Sequence, residues 1–119
     1  MKKVVDKRAA LLSAALELFA ENGFNASPTA LIARRAGVAS GTLFVYFKSK
    51  EELIRELFRE VNQQFHALAW ENFEELPIKE RLLAALRQFL RYFLTHPKEF
   101  KFGEQYHFSP YFNSEPATS

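Results

Sequence analysis

The apolar residues of this chain recur at helical spacing in every segment that its Gly and Pro residues mark off, and nowhere do they alternate as a strand requires. Four Gly and five Pro in 119 residues leave stretches long enough for helices, with no internal repeat. From Val4 to Ala20, the positions Val5, Leu12, Ala15, Leu16, Phe19 and Ala20 follow that spacing. Gly23 stands where a helix stops in the left-handed conformation, and Phe24 is placed to fold back onto Phe19. Ser27-Pro28 reads as a helix start, a hydroxyl to cap free amides and then a proline at the first helical position. That helix is short, Pro28 to Ala36, and Gly37 stops it. Ser40 is placed to cap a third, Gly41 to Phe47. Ser49-Lys50-Glu51-Glu52 is a capping box ahead of a stripe running through Leu53, Ile54, Leu57, Phe58, Val61, Phe65, Leu68 and Ala69, one helix from about Ser49 to about Glu74. Pro77 opens the next, with Leu82, Leu83, Leu86, Phe89, Leu90, Phe93 and Leu94 as its apolar side, and it ends ahead of Pro97. Pro97 starts a short helix through Lys101 or a little beyond, and after Gly103 no period is visible. The expected fold class is all-α.

Composition narrows the chemistry. The length suits one domain with a core that needs no staples. With no cysteine, disulfide scaffolds, cysteine-ligated zinc and thiol nucleophiles are excluded. No apolar run is long enough to span a membrane, and the basic start is not followed by a signal-peptide pattern, so no membrane partner is expected and the expected compartment is the cytoplasm. Charge is sorted along the chain. Residues 1–50 carry eight basic side chains against three acidic ones, whereas residues 51–119 carry eight against eleven. Such asymmetry points to an N-terminal part that meets a polyanion.

Two short helices joined by a turn containing Gly37 make a helix-turn-helix, from Pro28 to Phe47, inside the basic half. Ile32, Ala33 and Ala36 are placed to face Leu43 and Phe47, with Val38 plugging the turn. In such a motif the second helix enters the major groove with its N-terminal residues on base edges. Here those are Ser40, Gly41 and Thr42, then Val45 and Tyr46, most of them small or hydroxyl-bearing.

The run from Ile32 to Leu53, and within it Gly41-Thr42-Leu43-Phe44-Val45-Tyr46-Phe47-Lys48-Ser49-Lys50, resembles the DNA-binding domain of the TetR family of bacterial transcriptional regulators. The preceding Ala14 to Phe24 resembles the end of that family's first helix. The resemblance implies a three-helix, homeodomain-like helix-turn-helix domain over residues 1–48. A connecting helix and part of an α-helical regulatory domain would follow over residues 49–119. It implies a dimer on a palindromic double-stranded operator in a bacterial cytoplasm, at the nucleoid. Thr29, Tyr46 and Lys50 match backbone-contacting positions, and Ser40, Gly41 and Thr42 match groove-facing ones. Lys50 also stands at a helix N-terminus, where amides and dipole favour an anion. Phe44 lacks the hydroxyl that many relatives carry there, which leaves packing as its expected role. Ala30 replaces a residue that is often charged or long.

The resemblance further implies C-terminal helices that form a ligand pocket and a dimer interface, and the chain stops before the last of them. It is expected either to be part of a longer protein, which the aromatic tail favours, or to be a short member that dimerises differently. The aromatic stretch Phe100, Phe102, Tyr106, Phe108, Tyr111 and Phe112 is expected to need a cover. Phe65, Trp70, Phe89, Phe93 and Tyr106 are the candidates to line a site for a small apolar or aromatic effector, although phenylalanines at helical spacing are more often core than ligand contacts. His66, His96 and His107 are too scattered for a metal, no cofactor is expected, and no nucleophile stands with a base, so catalysis is not expected. The alternative is an all-α protein-interaction module with only non-specific affinity for DNA.

Overall fold

The computed structural model describes residues 6–70 and 75–111, the side chains of residues 68–70 excepted. Among them are six helices: α1 (Lys7–Asn22), α2 (Thr29–Ala36), α3 (Ser40–Tyr46), α4 (Lys50–Trp70), α5 (Ile78–Thr95) and α6 (Pro97–His107). No described helix is long and apolar enough to cross a membrane.

α1 starts on Asp6, whose carboxylate accepts from the Ala9 amide at 3.1 Å. Its buried stripe is Leu11, Leu12, Ala14, Ala15, Leu18 and Phe19, and the two alanines let neighbouring backbones approach. The helix ends at Gly23, which has φ +84° and ψ 170°. This is an extended continuation that still needs a positive φ, and not the left-handed stop expected. Phe24 nevertheless lies edge-on to Phe19, ring centroids 4.9 Å apart.

Ser27 departs from its expected role. Its buried hydroxyl donates to the Gly23 carbonyl at 2.7 Å and sits 3.1 Å from that of Leu18, so it closes the end of α1 and does not cap α2. Pro28 takes the cap position of α2, with no side-chain cap. Gly37 is the left-handed stop foreseen, at φ +79°, ψ 28°. Val38 N–H reaches the Ala33 carbonyl and Gly37 N–H that of Arg34, the paired bonds of a Schellman ending. Ser40 begins α3 as its first residue and lies exposed, with Ala39 as the cap. At α4 the Ser49 hydroxyl accepts from the Glu52 amide at 3.1 Å, while the Glu52 carboxylate reaches one residue further back, to the Lys48 amide.

α6 runs well past Lys101, through Gly103 to His107. Phe102 and Tyr106 stand one turn apart and are both fully buried, so tertiary packing carries the helix across a glycine that costs it propensity. Phe102 stacks on Phe19 at 6.0 Å and Tyr106 on Phe58 at 4.0 Å. Gln105 donates to the Phe19 carbonyl at 2.7 Å. These aromatics, expected to need a cover, belong to the core; Phe100 and Phe108 stay exposed, and Phe112 lies outside the described residues. One core thus joins Leu11 to Phe47 with Leu53, Ile54, Leu57, Phe102 and Tyr106, drawing on both sides of residue 48. The segment 71–74, to which the fourth helix was expected to run, also lies outside the described residues.

Candidate nucleic-acid interface

The corner of α2 and α3 is set from within. Ile32, Ala33, Leu43 and Phe47 are buried together, with Ala36 and Val38 packed partly against them. Ala33 is fully buried in this corner, where a larger side chain would wedge the helices apart. With Leu43 the one buried residue of α3, everything else on that helix faces outward.

That outward face carries Ser40, Gly41, Phe44, Val45 and Tyr46 exposed and Thr42 half-buried. Val45 is 78% exposed and Phe44 51%, so about half of the Phe44 ring is open on this face. Apolar groups held out on a seven-residue helix have little to gain from water, and they match the thymine methyl groups of a major groove. A Cβ added at Gly41 would meet nothing within 4 Å, so the fold itself does not require glycine there. Thr29, half-buried, stands at the start of α2.

The basic side chains divide into two groups. Arg35 is held by Glu17 at 3.1 Å and Glu21 at 3.3 Å, and those hydrogen bonds lift its guanidinium further above the ordinary arginine value. Arg8 is held by Glu56 at 3.1 Å and Glu60 at 2.6 Å. Arg34 and Lys48 are exposed, with no ion pair among the described residues, and were not singled out from the sequence. Arg34 and Arg35 read alike in sequence; the signal that separates them is the pair Glu17 and Glu21, one turn apart on α1 and facing only one of the two. Lys50 turns inward and donates to the Phe24 carbonyl, and burial pushes its amine below the usual lysine value. The start of α4 already holds Glu51 and Glu52 and the Ser49 cap, so a phosphate reaching Lys50 must compete with those groups.

A second feature lies on the other side of α6. A groove of about 350 Å³ opens between α4, α5 and α6, and Phe65, Phe89 and Phe93 line it together with Tyr92, Phe100 and Glu99 among others. Phe65 meets Phe89 at 5.8 Å and Tyr92 at 5.3 Å, both edge-on. Tyr106 is not part of this groove. One turn from Phe102, it is fully buried and stacks on Phe58, which itself lines the groove, so Tyr106 backs the groove wall and does not line it. The side chain of Trp70 lies outside the described residues. Among those residues no three His, Asp or Glu converge as metal ligands would.

Comparison with known proteins agrees with this geometry. The family model described as bacterial regulatory proteins, tetR family, matches residues 11–57. The fatty acid metabolism regulator protein of Bacillus subtilis (strain 168) is 39% identical over 84 residues, 71% of this chain and 43% of that protein. An HTH-type transcriptional regulator of the same organism, YhgD, is 32% identical over 102 residues, 85% of this chain and 53% of that one. The crystal structure of a TetR-family transcription regulator from Marinobacter aquaeolei VT8 superposes with a TM-score of 0.83 at 30% identity, over 88% of this chain and 56% of that chain. The chain spans about half the length of the curated relatives it matches.

Proposed function

This chain belongs to the TetR family of bacterial regulatory proteins, and on that footing we propose that it is the DNA-reading part of a ligand-responsive transcriptional repressor. The observation that carries this reading is the face of α3. Leu43, together with Phe47 just beyond the helix, locks one side into the core, and the other side offers Ser40, Gly41, Thr42, Phe44, Val45 and Tyr46 to a partner. Tyr46, Thr29 and Lys50 fall to the phosphate backbone, with Arg34 and Lys48 beside them; Lys50 gives up its bond to Phe24 on binding. The protein acts as a homodimer whose two α3 helices lie about 34 Å apart, one turn of a palindromic operator. It works in the cytoplasm at the nucleoid and has no catalytic role and no cofactor.

A small apolar or aromatic effector enters the groove lined by Phe65, Phe89 and Phe93. It shifts operator affinity only as far as it binds the two states differently. The route has two arms. α4 runs from Lys50 at the interface to Phe65 in the groove, and α6 presents Glu99 and Phe100 to the groove while Phe102 and Gln105 grip α1.

Selection of binding sites from a random duplex pool tests the reading. An enriched palindrome with half-sites one turn apart is expected. An enriched single half-site would keep the reader and remove the dimer. No enrichment would overturn the proposal in favour of a protein-interaction module that holds DNA without regard to sequence.

A further inference from the structure

The outward face of α3 has no side chain able to make a paired hydrogen bond to a base. From Ser40 to Tyr46 there is no Arg, Lys, Asn or Gln, the residues that grip guanine or adenine with two bonds at once. The exposed cations that flank it in sequence, Arg34 in the last turn of α2 and Lys48 beyond the end of α3, lie outside the helix. What stands farthest from the core is apolar. Helical rotation of about 100° per residue puts Val45 roughly 200° and Gly41 roughly 160° around the axis from Leu43, whose side chain is fully buried. Val45 and Gly41 thus share the ridge opposite the core, one turn apart. Gly41 adds no bulk to that ridge, and Val45 is 78% exposed on it. Ser40 and Thr42 bring their hydroxyls to its two flanks, at about 60° and roughly 260°.

We propose that Val45 reads the C5 methyl group of thymine, so that the duplex this chain selects has a T·A pair at a fixed place in each half-site and the preference comes from that methyl. In the major groove the thymine methyl is the apolar group on a base edge, whereas guanine and adenine turn only donors and acceptors to the same place. Against thymine, the Val45 methyl groups and the base methyl leave water together. Against the N7 and O6 of guanine, or the N7 and N6 of adenine, the same side chain strips water from polar groups and supplies no bond in return. Attraction and penalty act in one direction, which lets a side chain without a hydrogen bond to offer discriminate between bases. Gly41, one turn nearer the start of α3, leaves room for the helix to come close enough for the contact.

This inference rests on the reading of α3 as the groove helix, and removal of single methyl groups from the DNA separates the two. Deoxyuridine differs from thymidine by that methyl alone and pairs in the same way. The chain is titrated, by fluorescence anisotropy, with the duplex enriched from the random pool and with copies in which each thymine of one half-site in turn is replaced by deoxyuridine. At one position the replacement is expected to weaken binding about four- to tenfold. Val45→Ala is expected to bring the ratio of thymine to uracil affinity at that position close to one. Thermal unfolding verifies that this variant folds, as the exposure of Val45 leads one to expect. A half-site with no methyl-sensitive thymine, or a sensitivity that Val45→Ala leaves intact, would overturn the thymine reading and leave α3 in the groove. Enrichment of no sequence at all would overturn the groove reading along with it.

Discussion

Gly37 and Gly41 lie four residues apart and are glycine for different reasons. Gly37 sits at φ +79°, where an L side chain is strained even though a Cβ there would have open space. Gly37→Ala is expected to cost about 1–2 kcal/mol by chemical denaturation. Gly41 is an ordinary helical position with open space around it. Gly41→Ala should leave stability unchanged or raise it by up to about 1 kcal/mol, yet weaken operator binding by holding α3 off the bases. A Gly41→Ala variant that unfolds more easily would mean that this glycine serves the fold. Ser27→Ala is expected to cost about 1–3 kcal/mol, since it strips a buried donor from the end of α1. The sequence showed Ser-Pro and thereby a helix boundary. It did not show which helix the hydroxyl serves, because the Leu18 carbonyl comes within reach only once α1 has turned back at Gly23. Tyr92 provides a pH test. Its phenol holds its proton more tightly folded than unfolded, so the stability it contributes is complete below about pH 10 and is lost as pH rises towards 12. A tyrosinate absorbance titration should show a late-ionising phenol that is lost in Tyr92→Phe.

At the scale of the helix, legibility followed the period of the apolar residues. α1 to α5 were readable because each carries its own stripe between breakers. α6 was cut short because Gly103 interrupts it and because its deciding residues, Phe102 and Tyr106, are a pair one turn apart and not a stripe. Their partners Phe19 and Phe58 come from elements far away in sequence, which periodicity cannot detect. For the same reason Tyr106 was assigned to the effector site from its chemistry alone, and only the packing shows that it faces the reader core. Gln105 is a polar link between α6 and α1. Gln105→Ala should lower stability by about 1 kcal/mol and reduce the change in operator affinity that a groove ligand produces, measured by titrating DNA with and without that ligand. On α3, Thr42→Ala should reduce binding to the selected operator more than binding to random duplex; equal losses would show that Thr42 reads no base.

Over the whole molecule, the radius of gyration of 16.5 Å exceeds the roughly 13–14 Å of a compact chain this long, and α5 packs mainly on α4. Ile78, Leu82, Leu83, Leu86, Leu90 and Leu94 are exposed there. An apolar surface of that extent favours association, so sedimentation velocity should report larger species as concentration rises, and Leu86→Glu together with Leu90→Glu should return the monomer. The ion pairs of Arg8 and Arg35 bear on how the molecule meets DNA. Each guanidinium is already paired with two carboxylates of its own chain, so neutralising a phosphate with either means giving up those pairs, which reduces the net gain from setting free the ions condensed around the duplex. The entropy of counterion release therefore draws on fewer positions than the eight basic residues of the N-terminal fifty would suggest. The logarithm of affinity should fall with the logarithm of salt more gently than that tally predicts, and binding to the operator should persist at ionic strengths where a complex held by charge alone has dissociated.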